Sequence, residues 1–377
     1  MCRLNHKAVR QRDKGFDLRR KARYVIGMGN DIRYQRQVIL DEIGENGQRK
    51  LGEAAILCIG AGGLGCPALL YLAAAGVGRI GIVDFDNVDE SNLQRQTLYS
   101  VDQIGQNKAA AAKARLAALN PEIEITAYET QLSAKNAREM FESYDLIIDG
   151  TDNFTTKYLI NDMAVETNMP FIYGAIQGFE GQVSVFGAPG APCYRCLYPQ
   201  PPKEHIPTCA ENGVIGAVAG IIGTAQAMEA IKLIVGGESF TPLIGTLFCI
   251  DLRDMRTRTL ALPRDAHCPA CSDHAKALEH PPAIEQILPT ANYEGALLID
   301  VREQEEWDAG YIEGAQHRPL SILMHTTAAD LPKDRTIVLY CAKGQRSQYA
   351  AEILQALGYA NVKNMVGGYD AWVRQFA

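Results

Sequence analysis

A cysteine that closes an apolar run and opens onto a glycine and two cations has a chemical reason to be there. In "VLYCAKGQRSQYAAEIL" (338–354), Cys341 follows a strand pattern, Lys343, Gly344 and Arg346 come next, and a helix pattern begins. Backbone amides of such a loop can point inward at whatever the sulfur carries. Lys343, Arg346 and the helix N-terminus add positive potential, so the surroundings favour a thiolate and its persulfide anion. A phosphate cradle is the competing chemistry. Phosphatase loops hold one more residue between cysteine and arginine, whereas four residues separate Cys341 from Arg346. The tighter loop suits a single sulfur.

A second constellation lies far upstream. The chain reads strand ("AAILCIG"), glycine turn ("GAGGLG"), helix from Pro67, then a second strand ("RIGIVD") ending at Asp84. Gly60, Gly62 and Gly65 form a G-x-G-x-x-G turn between strand and helix, where backbone amides and the helix N-terminus can face phosphate. Asp84 is placed to accept a hydrogen bond from a ribose hydroxyl. This much fits an NAD enzyme. The next segment, "DFDNVDESNLQRQTLY", adds Asn92 and Arg95, Lys108 follows in "IGQNKAAAAKARL", and Arg36 precedes the turn in "RYQRQVIL". Several cations converging on one glycine turn suit a triphosphate better than a dinucleotide. A third strand, "YDLIIDG", then delivers Asp152, whose carboxylate at a strand's carboxyl end is placed to hold Mg²⁺. Each charge taken singly reads as a solvated surface residue; the set reads as an ATP site.

The ten cysteines sort by context. "CYRC" (Cys193, Cys196) and "CPAC" (Cys268, Cys271) are paired knuckles of the kind that build a closed, structural Cys₄ zinc site. Cys58 and Cys249 lie in apolar strand patterns and read as packed thiols. Cys66 and Cys2 carry no chemistry that their neighbours explain. Cys209, in "EHIPTCAENGVIG", precedes a long apolar helix whose N-terminus can lower a thiol's pKa. A covalent role and a passive loop thiol both stay open for it.

The elements that must position these residues exceed one domain. A length of 377 residues suits two or three. The net charge of −7 argues against a general nucleic-acid or membrane-surface binder. The first thirty residues carry nine Lys/Arg against two Asp and no aliphatic run. They read as a disordered basic tail, or as a start assigned upstream of Met28, and not as a secretory leader. A reducing cytoplasm is the expected location. The apolar segment 214–235 is interrupted by Gln226, Glu229 and Lys232, and reads as a buried helix at a core or subunit contact. The expected division is a tail (1–30), a Rossmann-like doubly wound α/β domain holding the zinc site (31–272), a linker (273–282) and a small α/β domain (283–377).

Several motifs occur in order: "RYQRQVIL", "GAGGLG", "DFDNVDESNLQRQ", Asn107–Lys108 and "DGTDNF". Together they resemble the adenylation domain of the ubiquitin-activating superfamily, in its bacterial branch of molybdopterin-synthase and thiazole-biosynthesis adenylyltransferases. The resemblance spans Asp31 to Cys271. It implies a homodimer in which Arg36 reaches the partner subunit's triphosphate, and phosphate or ribose contacts from Gly63, Asp84, Asn92, Arg95 and Lys108. It implies further nucleotide contacts from Ser91, Leu93, Gln94 and Asn153, and a magnesium or α-phosphate role for Asp152. Its zinc positions match the four cysteines, and the region of Cys209 supplies the family's covalent cysteine.

The C-terminal "LIDVRE", "CAKGQRS" and "VGGYDAW" resemble a single-domain rhodanese, departing where Tyr311 replaces the usual histidine. The fusion implies an adenylyltransferase-sulfurtransferase. Its carrier would be a small ubiquitin-like protein ending in Gly-Gly, adenylated at its carboxylate with Mg·ATP. Sulfur from a persulfide donor such as a cysteine desulfurase would pass through Cys341 to give a thiocarboxylate for molybdopterin, thiamine or tRNA thiolation. Two alternatives stay open on the residues alone: an NAD-dependent oxidoreductase with an appended sulfurtransferase, and a non-catalytic docking module for a sulfur carrier.

Overall fold

The computed structural model describes residues 32–202, 213–273, 275, 278, 280, 282–290, 292–323 and 330–376. The basic tail and Cys209 lie outside the described residues. Two compact units are present, the first ending at Leu278 and the second beginning at Glu279.

The first unit is built on one eight-stranded sheet. Its strands are β1 (Ala55–Ile59), β2 (Arg79–Val83), β3 (Glu124–Tyr128), β4 (Leu146–Asp149), β5 (Phe171–Gln177), β6 (Glu180–Phe186), β7 (Thr246–Asp251) and β8 (Arg256–Ala261). The order is β3-β2-β1-β4-β5-β6-β7-β8. Pairings from β3 to β5 are parallel and those from β5 to β8 antiparallel. The chain runs outward from β1 through β2 to β3, then returns to the other side of β1 with β4. That reversal opens a crevice at the carboxyl ends of β1 and β4, the usual ligand position in such sheets.

Every residue of β1 is buried because both sheet faces are covered. Ile56 and Cys58 join the core formed with helices Gly65–Ala74, Lys108–Leu119 and Gly216–Val235, while Leu57 and Ile59 join the core containing Phe141, Phe171 and Tyr173. The sequence reading takes "YDLIIDG" as the third strand; the structure inserts β3 before it. That edge strand has one fully buried residue, so its apolar pattern is faint. The helix after the glycine turn starts at Gly65 rather than Pro67. Proline is tolerated in a first turn, where its missing N–H would have no partner.

Helix Gly216–Val235 is long and apolar enough to cross a membrane by composition, yet half of it is buried within the first unit. Val218, Ile222, Ala227 and Ala230 lie in the core, and Gln226 donates to the Asp149 and Ile172 carbonyls at 2.7 and 3.0 Å. Its glycines permit close approach: a Cβ at Gly223 would overlap the Leu64 carbonyl oxygen, and one at Gly216 the Gln94 carbonyl oxygen.

The second unit has five parallel strands, β9 (Glu285–Ile287), β10 (Leu297–Asp300), β11 (Gln316–His317), β12 (Ile337–Tyr340) and β13 (Val362–Met365), in the order β11-β10-β12-β13-β9. Central β12 is wholly buried and delivers Cys341 at its carboxyl end.

Two glycine substitutions should move stability in opposite directions. A Cβ at Gly65 would overlap the Gly60 carbonyl, so Gly65→Ala should cost roughly 1–3 kcal/mol. Nothing lies within 4 Å of a Cβ at helical Gly220, so Gly220→Ala should stabilise by about 0.5–1 kcal/mol. Denaturant unfolding of the first unit measures both; equal destabilisation would contradict the packing.

Candidate functional site

Two loops meet in the crevice. Gly60 has φ +88°, and a Cβ there would stand 2.8 Å from the Gly150 carbonyl oxygen; one at Gly150 would stand 2.5 Å from the Gly60 oxygen. The loop after β4 is fixed from below. Buried Asp149 accepts from the Thr151 amide (3.0 Å) and hydroxyl (2.6 Å) and pairs with Lys157 Nζ at 2.8 Å. The loop after β1 is held by Asp84, which accepts from the Ala61 amide at 2.8 Å and the Asp86 amide at 2.9 Å. Burial pushes the Asp84 pKa up to about 6. Gly62 and Gly63 face the remaining space: a Cβ would meet Gln96 Nε2 at 3.6 Å in one case, and Ala219 Cβ at 3.5 Å and Arg95 Cγ at 3.7 Å in the other.

The cationic segment folds over this turn. Arg95 donates to the Ser91 carbonyl at 3.1 Å, Asn92 is buried, Leu93 is half-buried and Gln94 exposed. Lys108 opens helix Lys108–Leu119 behind the Asn107 cap and pairs with Asp86 at 3.1 Å. Burial alone would lower the Lys108 pKa; Asp86 and Asp84 outweigh it and hold the ammonium above its ordinary range, with Asp152 adding to their effect. Asp152 is exposed, and the Asn153 oxygen caps helix Phe154–Thr167 by accepting from the Thr156 amide at 2.8 Å. Gln96, almost wholly buried, leaves its Oε1 without a partner among the described residues. Two open glycines, buried Lys108 and half-buried Arg95 make a cradle that fits a nucleotide polyphosphate, while the Gln96 oxygen calls for a donor such as a hydroxyl. Arg36 is exposed on helix Gln35–Val38, and among the described residues no ion pair engages it.

The four knuckle cysteines come together. Cys193, Cys196, Cys268 and Cys271 place their Sγ atoms within 4.8 Å of one another, the pairs Cys193–Cys268, Cys196–Cys271 and Cys196–Cys193 at 3.5, 3.4 and 3.9 Å. A tetrahedral S₄ site with metal–sulfur bonds of ~2.3 Å has S–S edges of roughly 3.8 Å. The cluster can therefore hold a metal ion. It is pinned to the core from between its first two ligands: Arg195 makes a two-pronged pair with Asp162 (2.7 and 2.7 Å), and the Tyr194 amide donates to Asn161 at 2.7 Å.

In the second unit Cys341 is buried, continuing the face of β12 that carries Ile337 and Leu339 against helix Gln345–Ala356. The Gly344 amide donates to its sulfur at 3.0 Å. Ser347, wholly buried, lies 3.5 Å from the same sulfur and 2.6 Å from Asn364 Oδ1, and Asn364 donates to Gln286 at 2.9 Å. The loop is clasped from behind: the Tyr369 amide donates to the Cys341 carbonyl at 2.7 Å and the Asp370 amide to the Ala342 carbonyl at 3.0 Å. Only glycine fits there. A Cβ at Gly368 (φ +56°) would overlap the Cys341 carbonyl oxygen.

Arg346 is read from sequence as a charge for the sulfur, but its guanidinium is engaged by Glu306 through two bonds of 2.6 Å. Tyr311, at the position where the sequence departs from its pattern, stacks on Trp307 at 4.0 Å, and Trp307 stacks on His317 at 4.6 Å. Sequence reasoning missed Asp86, Gln96, Glu306 and Ser347. The repeated acid in "DFD" offered a signal for Asp86; nothing local marked Glu306.

A profile of the ThiF family matches residues 34–270, and one of the rhodanese-like domain matches residues 283–375. The chain is 43% identical over 366 residues to a probable adenylyltransferase/sulfurtransferase MoeZ of Mycobacterium tuberculosis, covering 91% of this chain and 93% of that protein. It is 37% identical to the adenylyltransferase and sulfurtransferase MOCS3 of Aedes aegypti, covering 91% and 87%. The first unit is similar to a sulfur carrier protein adenylyltransferase of Thermus thermophilus, 46% identical over 247 residues (64% of this chain, 90% of that protein). The E. coli MccB crystal structure with ATP shares the fold, with a TM-score of 0.57 at 23% identity over 65% of this chain and 76% of that one.

Proposed function

The chain belongs to the ThiF family and ends in a rhodanese-like domain, and from that premise we propose that it activates a sulfur-carrier protein with ATP and then delivers sulfur to it. The observation that carries this reading is the pairing in one chain of a polyphosphate cradle with a single-sulfur loop. Relatives that match over nearly the whole length are named for both activities.

In the first step the carrier's C-terminal carboxylate, expected to be that of a Gly-Gly tail, attacks the α-phosphorus of ATP and pyrophosphate leaves. Little covalent work falls to the protein; it positions the reactants and neutralises charge. Amides of Gly60 to Gly65 face the phosphates, Lys108 and Arg95 offset their charge, and Asp84 takes the ribose. Asp152 would hold Mg²⁺, which supplies charge neutralisation at the phosphates; its exposed carboxylate beside Lys108 fits that ion. In a homodimer Arg36, free of ion pairs among the described residues, would serve the partner subunit's triphosphate.

In the second step the terminal sulfur of a Cys341 persulfide, loaded by a protein persulfide donor such as a desulfurase, attacks the acyl-adenylate carbonyl. AMP leaves with the electron pair and an acyl-disulfide remains. A thiolate, with Cys209 the candidate, then attacks the Cys341 sulfur. The thiocarboxylate departs, and the new disulfide is reset by an external thiol reductant. This chemistry needs a reducing compartment such as the cytoplasm.

The two steps should separate by mutation. Asp152→Ala should abolish carrier-dependent pyrophosphate exchange into ATP. Cys341→Ala should keep that exchange near normal and lose thiocarboxylate formation, read as a mass change of the carrier. Thiocarboxylate made by Cys341→Ala from a persulfide donor would move the sulfur to another cysteine.

The dimer has its own test. Heterodimers of Arg36→Ala and Asp152→Ala chains should recover exchange, since one of their two sites keeps both residues. No recovery with heterodimers present would confine Arg36 to its own subunit.

We assign zinc to the four-cysteine cluster because paired thiolates in tetrahedral array suit that ion, with no open position for catalysis. Replacing Cys196 or Cys271 with Ser should remove bound zinc and destabilise the first unit outright rather than merely slow the enzyme. Metal analysis with thermal melting decides it; a metal-free variant with an unchanged melt would sink the assignment.

A further inference from the structure

The Cys341 loop contains a charge pair that the sulfur-transfer reading does not use. Arg346 gives NH1 and NH2 to the two oxygens of Glu306, both at 2.6 Å. This side-by-side geometry is the strongest form of an arginine–carboxylate contact. Glu306 is also held from its own element. Its Oε2 accepts the Glu303 amide at 3.2 Å, closing a capping box at the start of helix Gln304–Asp308. Arg346 in turn holds the Glu306 carboxyl below its ordinary range. The pair is half-buried, so it is only partly screened by solvent.

The consequence is electrostatic. Unopposed, a loop with Lys343, Arg346, the Gly344 amide and a helix N-terminus would attract a compact dianion strongly. With Glu306 matched to Arg346, the charge of that arginine is cancelled. Trp307, next to Glu306 in the chain, stacks on Tyr311 and on His317, so an aromatic stack adjoins the pair.

We propose that Glu306 sets the donor specificity of the Cys341 loop, cancelling the charge of Arg346 so that the loop takes sulfur from a monoanionic organic persulfide in preference to the inorganic thiosulfate dianion. This rests on the reading of Cys341 as the sulfur carrier. With thiosulfate the Cys341 thiolate attacks the outer sulfur, the S–S bond breaks, and sulfite leaves with the electron pair. Cyanide then takes the terminal sulfur as thiocyanate and restores the thiolate. The donor brings two negative charges into the loop beside that of the attacking thiolate. With a persulfide donor, the incoming sulfur brings one charge and the leaving thiolate stays on the donor.

The experiment uses the full chain and compares thiosulfate with cysteine persulfide as donor. Glu306→Gln keeps the shape and the capping acceptor while removing the charge. It should raise kcat/KM for thiosulfate roughly tenfold, the scale of one released charge-assisted contact, and leave that for cysteine persulfide within about twofold. Adding Arg346→Ala should erase the gain. An unchanged or lower thiosulfate rate, or an equal gain with both donors, would overturn the proposal. So would a gain that survives in the double variant. Glu306→Ala provides the same reading if the glutamine variant is poorly folded, with melting of the second unit as the check. Thiosulfate turnover persisting in Cys341→Ala would instead refute the carrier reading itself.

Discussion

The nucleotide crevice depends on two backbones lying closer than any side chain allows. Gly60 and Gly150 close the ends of neighbouring parallel strands and stand against each other, and Gly65 begins its helix against the same Gly60 carbonyl. Because no Cβ intervenes, the helix start and the loop after β4 converge on one point. The buried Asp149–Lys157 pair, with Gln226 reaching the Asp149 carbonyl, stiffens the floor below it. Breaking such a pair by removing one partner would leave an uncompensated buried charge, so its value lies in fixing geometry more than in net stability.

The sulfur loop solves a similar problem with the same means. A reactive cysteine must be exposed enough to accept sulfur yet held so that amides, not water, stabilise its charge. The structure holds the carbonyls of Cys341 and Ala342 from behind with the amides of Tyr369 and Asp370, and the Gly344 amide donates to the sulfur. Gly368 is the enabling residue, and the chemistry-bearing side chain is positioned by a main chain that touches nothing reactive.

Charge is handled alike in both units. Lys108 is matched by Asp86 and Arg346 by Glu306, so these two cations are already paired before a substrate arrives. A partly buried cation without a partner would be costly or would lose its proton. Pairing keeps the charge in place, and incoming phosphate or sulfur must compete with a resident carboxylate. That competition gives each site a means of choosing among anions, which an isolated lysine or arginine would lack.

Local pattern sufficed for much of this. Strand, glycine turn and helix from Ala55 to Ala74, the paired C-x-x-C knuckles, and the strand-to-helix placement of Cys341 all follow from periodicity and spacing within short windows. Edge strand β3 escaped because half-exposed residues carry a weak signal. The partners escaped for a different reason. Gly60 and Gly150 are far apart in the chain, and Glu306 and Arg346 are separated by 40 positions. A charge in a sequence has a type but no neighbour; which carboxylate it meets depends on how parallel strands stack and where their connecting helices return. So the sequence determined which groups could do chemistry, whereas the tertiary structure decided which of them were already paired, because Coulomb energy depends on distance in space and not along the chain.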